Sequence, residues 1–291
     1  MTCAVDSRYD PPLLVDSNGT SGWRAELALD YERRGARTVL AARRHDGPLV
    51  VQKSLYPEGD AVCHTLVVHP PGGIAGGDDL QVNARLNVNA HALLTTPGAG
   101  KWYRSKGTWA RQSIHFELCD GACLEWLPEE NIIFNGALAE LRTAVRLTGA
   151  ASFIGWEICC LGRTGSGEVF ATGSFRGRWV IERDNRPLWL ENGRLTGGQA
   201  ALQSPVMLAG QSVYGTFLAA SDQLASDRLK VCREVRPSMG DGAVTLLPGL
   251  FIGRYLGVSS EAAKKYFINL WHILRPAVAR RTAWNPRIWR T

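Results

Sequence analysis

The chain has 291 residues, of which 45% are hydrophobic and 21% are charged, a balance typical of a globular protein and unlike that of a disordered one. Its net charge of +6 comes without a run of five or six like charges, which favours an ordinary solvated surface. No apolar run reaches the roughly 18 residues needed to cross a bilayer, and seven scattered cysteines favour reduced thiols, so we expect a soluble, cytoplasmic protein.

The chain divides into a short leader and one large domain. Residues 1–21 contain paired prolines and small polar residues without a sustained hydrophobic period, and we interpret them as a loose leader. In residues 22–291, short β-branched and aromatic runs recur between turn signals, about every eight to twelve residues. This spacing predicts a mainly β fold, with stacked or sandwiched, mostly antiparallel strands and a few C-terminal α-helices.

Three turn sequences predict β-hairpins between the runs that flank them. They are HDG at residues 45–47, CDGA at residues 119–122 and DNR at residues 184–186. Each combines glycine, asparagine or aspartate with a polar neighbour, which suits a tight reversal of the chain.

Two stretches predict strands with different surroundings. In LQVNARLNVNA, residues 80–90, the apolar side chains from Leu80 to Val88 alternate strictly with polar ones, which predicts a strand with one face in water. In SFIGWEICCL, residues 152–161, alternation is absent, which predicts a strand covered on both faces. The lone Glu157 in this second strand therefore needs a polar or charged partner.

Helical patterns occur only near the C-terminus. Residues 221–235, SDQLASDRLKVCREV, begin with a Ser/Asp cap signal and predict a helix that ends before Pro237. Residues 259–276, SSEAAKKYFINLWHILRP, begin with two serines that can cap a helix and carry an apolar stripe. Pro276 is expected to stop this second helix.

The stretch HPPGGIAGGDDL, residues 69–80, is the most unusual in the chain. Its glycines allow positive φ or close backbone contact, as in a sharp turn. It is not a phosphate loop, because the sequence after it predicts a strand and not a helix N-terminus. TTPGAGKWYRS and GRTGSGEVF also lack residues that the ATP-binding and dinucleotide-binding loops require. The four glycines are Gly72, Gly73, Gly76 and Gly77.

Other catalytic and metal motifs are weak in this sequence. No pair of close cysteines has a complementary pair for structural zinc, and no motif for nucleophilic catalysis is present. The acids in apolar or glycine-rich settings need partners, which arginines such as Arg85, Arg104 or Arg163 can supply. Alternatively, two of the acids act as general acid and base in a β-rich hydrolase. These acids are Asp78, Asp79, Glu125, Glu157 and Glu168.

A third class of function, nucleic-acid binding, has some support at the C-terminal end. Several arginines lie there beside Trp284 and Trp289. Binding through them would weaken steeply with salt. The chain lacks a basic strand interleaved with aromatic residues, so this interpretation is the least favoured of the three.

Five sequence blocks, which we call the motif blocks, resemble the UreD (UreH) family of urease accessory proteins when taken in order. The resemblance extends from about Trp23 to the C-terminus. The motif blocks are HPPGGIAGGDDL (69–80), TTPGAGKWYRS (95–105), LEWLPEENIIFNGA (124–137), WEICCLGR (156–163) and PRIW (286–289).

The resemblance implies a non-enzymatic assembly chaperone with a predominantly β fold. Members of the family bind apo-urease and recruit a UreF-type helical partner and, through it, a UreG-type GTPase, so that nickel reaches the urease active site. The route of nickel is expected to pass through the UreD protein itself. No tightly bound cofactor, nucleic acid or membrane partner is implied, and Ni²⁺ is expected only in transit.

The resemblance also assigns individual residues. Ni²⁺ in transit needs oxygen or nitrogen ligands that release it, which spaced carboxylates along a wet passage provide better than a closed thiolate cage. Asp78, Glu157 and Glu168 stand at acidic positions of the family motifs, and we predict that they line such a nickel path. Lys101, Tyr103 and Arg104 belong to the Lys-aromatic-Tyr-Arg-Ser motif.

Overall fold

The structure is a computed structural model that describes residues 22–290. The proposed leader, residues 1–21, lies outside the described residues. The described chain is mainly β, which confirms the predicted class. Its strands are β1 (Arg24–Arg34), β2 (Arg37–Asp46), β3 (Val50–Val51), β4 (Cys63–Val68), β5 (Asp79–Leu86), β6 (His91–Thr95), β7 (Gly100–Trp102), β8 (Ala110–Leu118), β9 (Cys123–Trp126), β10 (Asn131–Ile133), β11 (Leu138–Leu147), β12 (Ser152–Leu161), β13 (Ser174–Arg183), β14 (Arg186–Thr196), β15 (Val213–Ala220), β16 (Asp241–Leu247) and β17 (Leu250–Gly257). Its helices are α1 (Ser226–Glu234), α2 (Ser260–Val278) and the short 3₁₀ helices Thr164–Ser166, Ala200–Gln203 and Arg287–Arg290.

The strands form two sheets that pack face to face. Sheet 1 has the order β14-β13-β11-β8-β5-β1-β2. Sheet 2 has the order β16-β17-β15-β12-β9-β6-β4-β3, with β10 and β7 as a branch from β12. Between β4 and β13 the chain crosses repeatedly from one sheet to the other, so each return brings it back in the same direction. Neighbouring strands are therefore parallel from β13 to β1 in sheet 1 and from β12 to β4 in sheet 2.

The prediction of mostly antiparallel strands is wrong, because nine of the fifteen strand pairs among the described residues are parallel. Of the predicted hairpins, only the one at residues 184–186 forms, between β13 and β14. Residues 119–122 instead carry the chain from sheet 1 to sheet 2, and the strand after residues 45–47 pairs with β4. Turn residues indicate where the chain changes direction, whereas packing between the sheets determines which strand the next strand pairs with.

The two burial predictions for individual strands are confirmed. In β5 the alternate residues from Leu80 to Leu86 are buried against sheet 2, and the polar residues between them face outward. Val88 lies beyond the end of this strand and is exposed. All ten residues of β12 are buried, because sheet 1 covers one face and α2 covers the other.

The two helices lie near the C-terminus, as predicted, but their ends differ in part. α1 ends before Pro237 as expected, yet it begins five residues after Ser221, without a side-chain cap. Ser259 caps α2 by accepting a hydrogen bond of 3.2 Å from the Ala262 amide. Pro276 does not stop α2, because it occupies the last turn, where little of the helical hydrogen bonding remains to be lost. No helix among residues 22–290 is long and apolar enough to span a membrane.

A buried network of ion pairs and hydrogen bonds joins α2 to sheet 2. Arg275 and Glu125 are both fully buried, and Arg275 Nε lies 2.9 Å from Glu125 Oε2. Glu125 also accepts hydrogen bonds from Trp271 and His91, at 2.7 and 2.8 Å, while Arg275 Nη2 reaches Glu58 at 2.7 Å. Burial raises the pKa of Glu125, but Arg275 and His91 outweigh it, so its pKa lies well below the ordinary range. The carboxylate is therefore charged and paired.

Replacement of Arg275 by methionine is expected to lower the free energy of unfolding by about 3–5 kcal/mol, because Glu125 would remain buried without its main counter-charge. Denaturant unfolding measures the change. Lys265 is a control on the same helix, with 70% of its side chain exposed. Its replacement by methionine should cost less than about 1 kcal/mol. Equal effects of the two substitutions would contradict the assigned role of the network.

Candidate functional site

Sheet 2 contains an opening at the middle of β12. Residues 152–155 of this strand pair with β9, and residues 159–161 pair with β10, so residues 156–158 have no strand partner on that side. The connections β6 to β7 and β9 to β10 pass this gap. Each connection contains a proline, Pro97 or Pro128, and proline lacks the amide that a strand ladder needs. We call this gap the window.

A cavity of about 320 Å³ extends from the space between the sheets to the window. Sheet 1 contributes inward side chains such as Gln112 and Thr143. Trp156 and Glu157 both line the cavity although they are consecutive in one strand. Because successive strand residues point to opposite faces, the cavity must reach through the plane of sheet 2.

Glu157 lies on the inner wall of this cavity. Its carboxylate accepts a hydrogen bond of 3.1 Å from Trp179 Nε1 and one of 3.5 Å from the Cys159 thiol. Burial, reinforced by the nearby Glu191, raises the pKa of Glu157 to about 7, although both hydrogen bonds oppose the shift. The polar partners that the sequence predicted for Glu157 are thus Trp179 and the Cys159 thiol. With a pKa of about 7, the carboxyl group titrates near neutral pH.

The first motif block, residues 69–80, forms another wall. Its Ile74 amide donates to the Lys101 carbonyl at 2.7 Å, and the Tyr103 amide donates to the Ile74 carbonyl at 2.9 Å. Gly73 lies so close to the Tyr103 ring that a Cβ atom there would come within 2.2 Å of it. The glycine therefore permits contact between the first two motif blocks, and His69 at the start of the loop lines the cavity.

Asp78 holds this loop in shape. Its two carboxylate oxygens accept hydrogen bonds from the amides of Trp23 and Ala75, at 2.9 and 2.8 Å. The preceding Gly77 has a φ of +98°, which a residue with a side chain rarely adopts. Asp78 is buried at the edge of the loop and does not line the cavity.

Glu168 is placed away from the cavity. It accepts a hydrogen bond of 2.7 Å from Arg163 and one of 3.0 Å from the Asn135 amide. Arg163, an arginine considered as a partner from the sequence, also lies over the Phe134 ring, 4.6 Å from its centroid. The structure thus does not bring Asp78, Glu157 and Glu168 together.

The second motif block runs along the rim. Lys101 is exposed and lines the cavity. The Tyr103 ring meets Phe134 edge-on, with 5.2 Å between centroids, and Arg104 packs against Gly136. These contacts join the second block to the third.

The last motif block covers the window from outside. Trp289 Nε1 donates a hydrogen bond of 3.1 Å to Thr95 Oγ1, and its ring lies 5.7 Å from the rings of Trp156 and Trp271. Lys264 lies over the same ring, at 5.4 Å, and pairs with Glu129 on the rim. Lys264 and Trp179 were missed by sequence reasoning, because neither stands in a motif.

The side chains able to bind a metal ion are few and dispersed around the cavity. Among residues 22–290, no group of three His, Cys, Asp or Glu side chains is placed to hold a metal ion. The six described cysteines are buried and form no disulfide. Of the two carboxylates in the cavity lining, Glu129 is paired with Lys264, and Glu157 is the one held only by Trp179 and Cys159.

Replacement of Glu157 by glutamine is expected to stabilise the protein above pH 7 by roughly 3 kcal/mol, because it removes a buried charge whose pKa is raised from 4.5 to about 7. Below pH 4.5 the wild-type carboxyl is neutral in both the folded and the unfolded chain, so the gain should vanish. Unfolding midpoints measured between pH 4 and pH 8 check this. A gain that does not change with pH would contradict the burial of an ionising group.

Replacement of Trp289 by alanine is expected to uncover the window. Cys160, which belongs to the cluster on the outer face of sheet 2 against which Trp289 packs, should then react roughly tenfold faster with a small thiol reagent, as expected for a loss of about 1.4 kcal/mol of local stability. Mass spectrometry of the peptide that contains Cys160 measures the rate at one pH. Trp284 lies in the same C-terminal segment and is 51% exposed, so Trp284→Ala is the control. Equal rates in the two variants would show that Trp289 does not cover the opening.

The chain was compared with known proteins. The family described as UreD urease accessory protein matches residues 24–290. The urease accessory protein UreD of Azoarcus sp. strain BH72 is 54% identical over 93% of this chain and 95% of its own length. Its namesakes from Dechloromonas aromatica and Pseudomonas aeruginosa are 52% and 48% identical, over 92% and 96% of this chain and 95% and 99% of their own lengths. These matches confirm the resemblance of the motif blocks, and the chain belongs to the UreD family of urease accessory proteins.

Proposed function

We propose that this protein binds apo-urease and, with a UreF-type partner and a UreG-type GTPase, supports delivery of nickel to the urease active site. In this proposal the interior cavity is the path of the ion, and Glu157 is the residue that contacts it. Family membership gives the coarser part of the function: the chain is an accessory protein in urease maturation and not an enzyme. The alternative of a β-rich hydrolase is therefore set aside.

The observation that carries the proposal is the convergence of the motif blocks. Four blocks that are far apart in sequence contribute His69, Lys101, Pro128 and Glu157 to one cavity, and the fifth places Trp289 over its window. If the motif blocks had only a structural role, their side chains would be expected to fill the space where the blocks meet. Here the motifs surround an open volume whose lining includes the buried Glu157 and the rim residue Glu129, which is paired with Lys264.

The chemistry of the wall suits an ion in transit. Glu157 is half ionised near pH 7, so an arriving divalent cation can displace its proton without a large cost. The other possible ligands of the lining are His69 on the wall and Glu129 on the rim, where Glu129 is paired with Lys264. Among residues 22–290 these groups do not form a cluster of three ligands that would retain the ion. In this proposal Asp78 and Glu168 act indirectly, since their hydrogen bonds shape the loops of the first, third and fourth motif blocks.

Co-expression with the urease subunits and the partner proteins tests the proposal. Glu157→Gln is expected to lower urease activity and the nickel content of urease several-fold, while the complex with apo-urease still forms. The substitution keeps the shape of the side chain and removes only its charge, so loss of folding is not expected. Glu261→Gln, at an exposed position of α2, is the control and should have no effect. Full urease activation by Glu157→Gln would exclude the cavity carboxylate from the nickel path.

A further inference from the structure

The outer face of sheet 1 is not covered by either α-helix in the described chain. α2 packs on β12, β15 and β17, and α1 packs on β16 and α2, so both helices lie on the side of sheet 2. On sheet 1 the outward residues of β11, β13 and β14 are half-exposed or exposed, apart from Glu140 and Ser174. A face of this kind either remains in water or receives another molecule.

Arginines gather at one part of this face. Arg142 of β11 lies beside Arg178 of β13, and Arg176 of β13 lies opposite Arg194 of β14. Like charges directly opposite each other in a sheet are destabilising. We call these four residues the arginine patch. Arg142 pairs with Glu140 and Arg176 stacks on Trp109, whereas Arg178 and Arg194 make no such contact among residues 22–290, which points to a use of these two outside the chain.

The carboxylates nearby do not neutralise the arginine patch. Glu140, beside it on β11, lies 2.8 Å from Arg142 Nη2 and 3.4 Å from Arg111 Nε, so it is already shared between two arginines. Neither Arg178 nor Arg194 has a carboxylate within 4.0 Å among residues 22–290. Their guanidinium groups are therefore free to pair with acids from another molecule.

The patch also has an apolar component. The guanidinium group of Arg176 lies 4.0 Å from the centroid of the Trp109 ring, and Leu190 on the neighbouring strand is 57% exposed. Arginine and tryptophan are enriched among the residues that dominate binding between proteins. A protein surface supplies both carboxylates for the free guanidinium groups and apolar atoms for Leu190, whereas a nucleic-acid backbone supplies only phosphates.

We propose that the arginine patch is a docking surface for an acidic face of a protein partner. The partner presents several carboxylates that pair with Arg178 and Arg194, together with apolar atoms that cover Leu190 and Trp109. Paired charges of this kind speed association and fix the orientation of the partner. This inference rests on the proposed function, because it takes the partner to be a component of the urease assembly.

Binding of the chain to two probes, urease apoprotein and a UreF-type protein, tests the inference. The double variant Arg178→Glu/Arg194→Glu should bind one of them at least about tenfold more weakly, and wild-type binding to that probe should fall more steeply with salt. The control Lys230→Glu/Lys265→Glu makes the same change of charge at exposed helical positions and should bind normally. Unfolding midpoints of both variants should match that of the wild type.

The other outcomes are also decisive. Unchanged binding of the double variant to both proteins would overturn the docking surface and leave the proposed function intact. Wild-type binding to duplex DNA that the double variant loses, with protein binding unchanged, would assign the patch to nucleic acid instead. If the wild type binds neither protein, the proposed function fails, and this inference fails with it.

Discussion

The ion pair between Arg275 and Glu125 determines how the C-terminal part of the chain lies on the sheets. The two residues are 150 positions apart and both are fully buried, so each charge depends on the other. Arg275 also donates to the Thr282 carbonyl, just beyond α2. The same network holds Trp271, against which Trp289 packs. One buried charge pair thus fixes both the helix and the segment that covers the window.

The window itself has a simpler origin. Pro97 and Pro128 stand in the connections that pass the middle of β12, where a continuous sheet would need amide donors. The ladder divides around them, and the separated strands leave space that the side chains of sheet 1 do not fill. The interruption of strand pairing in sheet 2 therefore forms the candidate site. Glu157 lies at this interruption, where burial tunes its pKa to the neutral range.

The two sheets contribute different features to the structure. Sheet 2 carries the window, the buried ionic network and the helices, and its outer side is largely covered. Sheet 1 closes the cavity from the inside with alternate residues, while the residues between them form the outer face with the arginine patch. Two consecutive residues of β13 show this division. Trp179 donates a hydrogen bond to Glu157 in the cavity, and Arg178 faces solvent.

The sequence by itself determined the β class, the two helices, the burial of β12 and the family, because these depend on local patterns and motif blocks. It also identified Glu157 as a carboxyl group in an apolar setting. The parallel order of the strands, the pairing of Arg275 with Glu125, the separation of Asp78 and Glu168 from the cavity, and the window were decided only by the tertiary structure. The physical reason is that hydrophobic period and turn residues specify which face of an element is buried. They do not specify which distant element covers that face, and charges, cavities and registers depend on that choice.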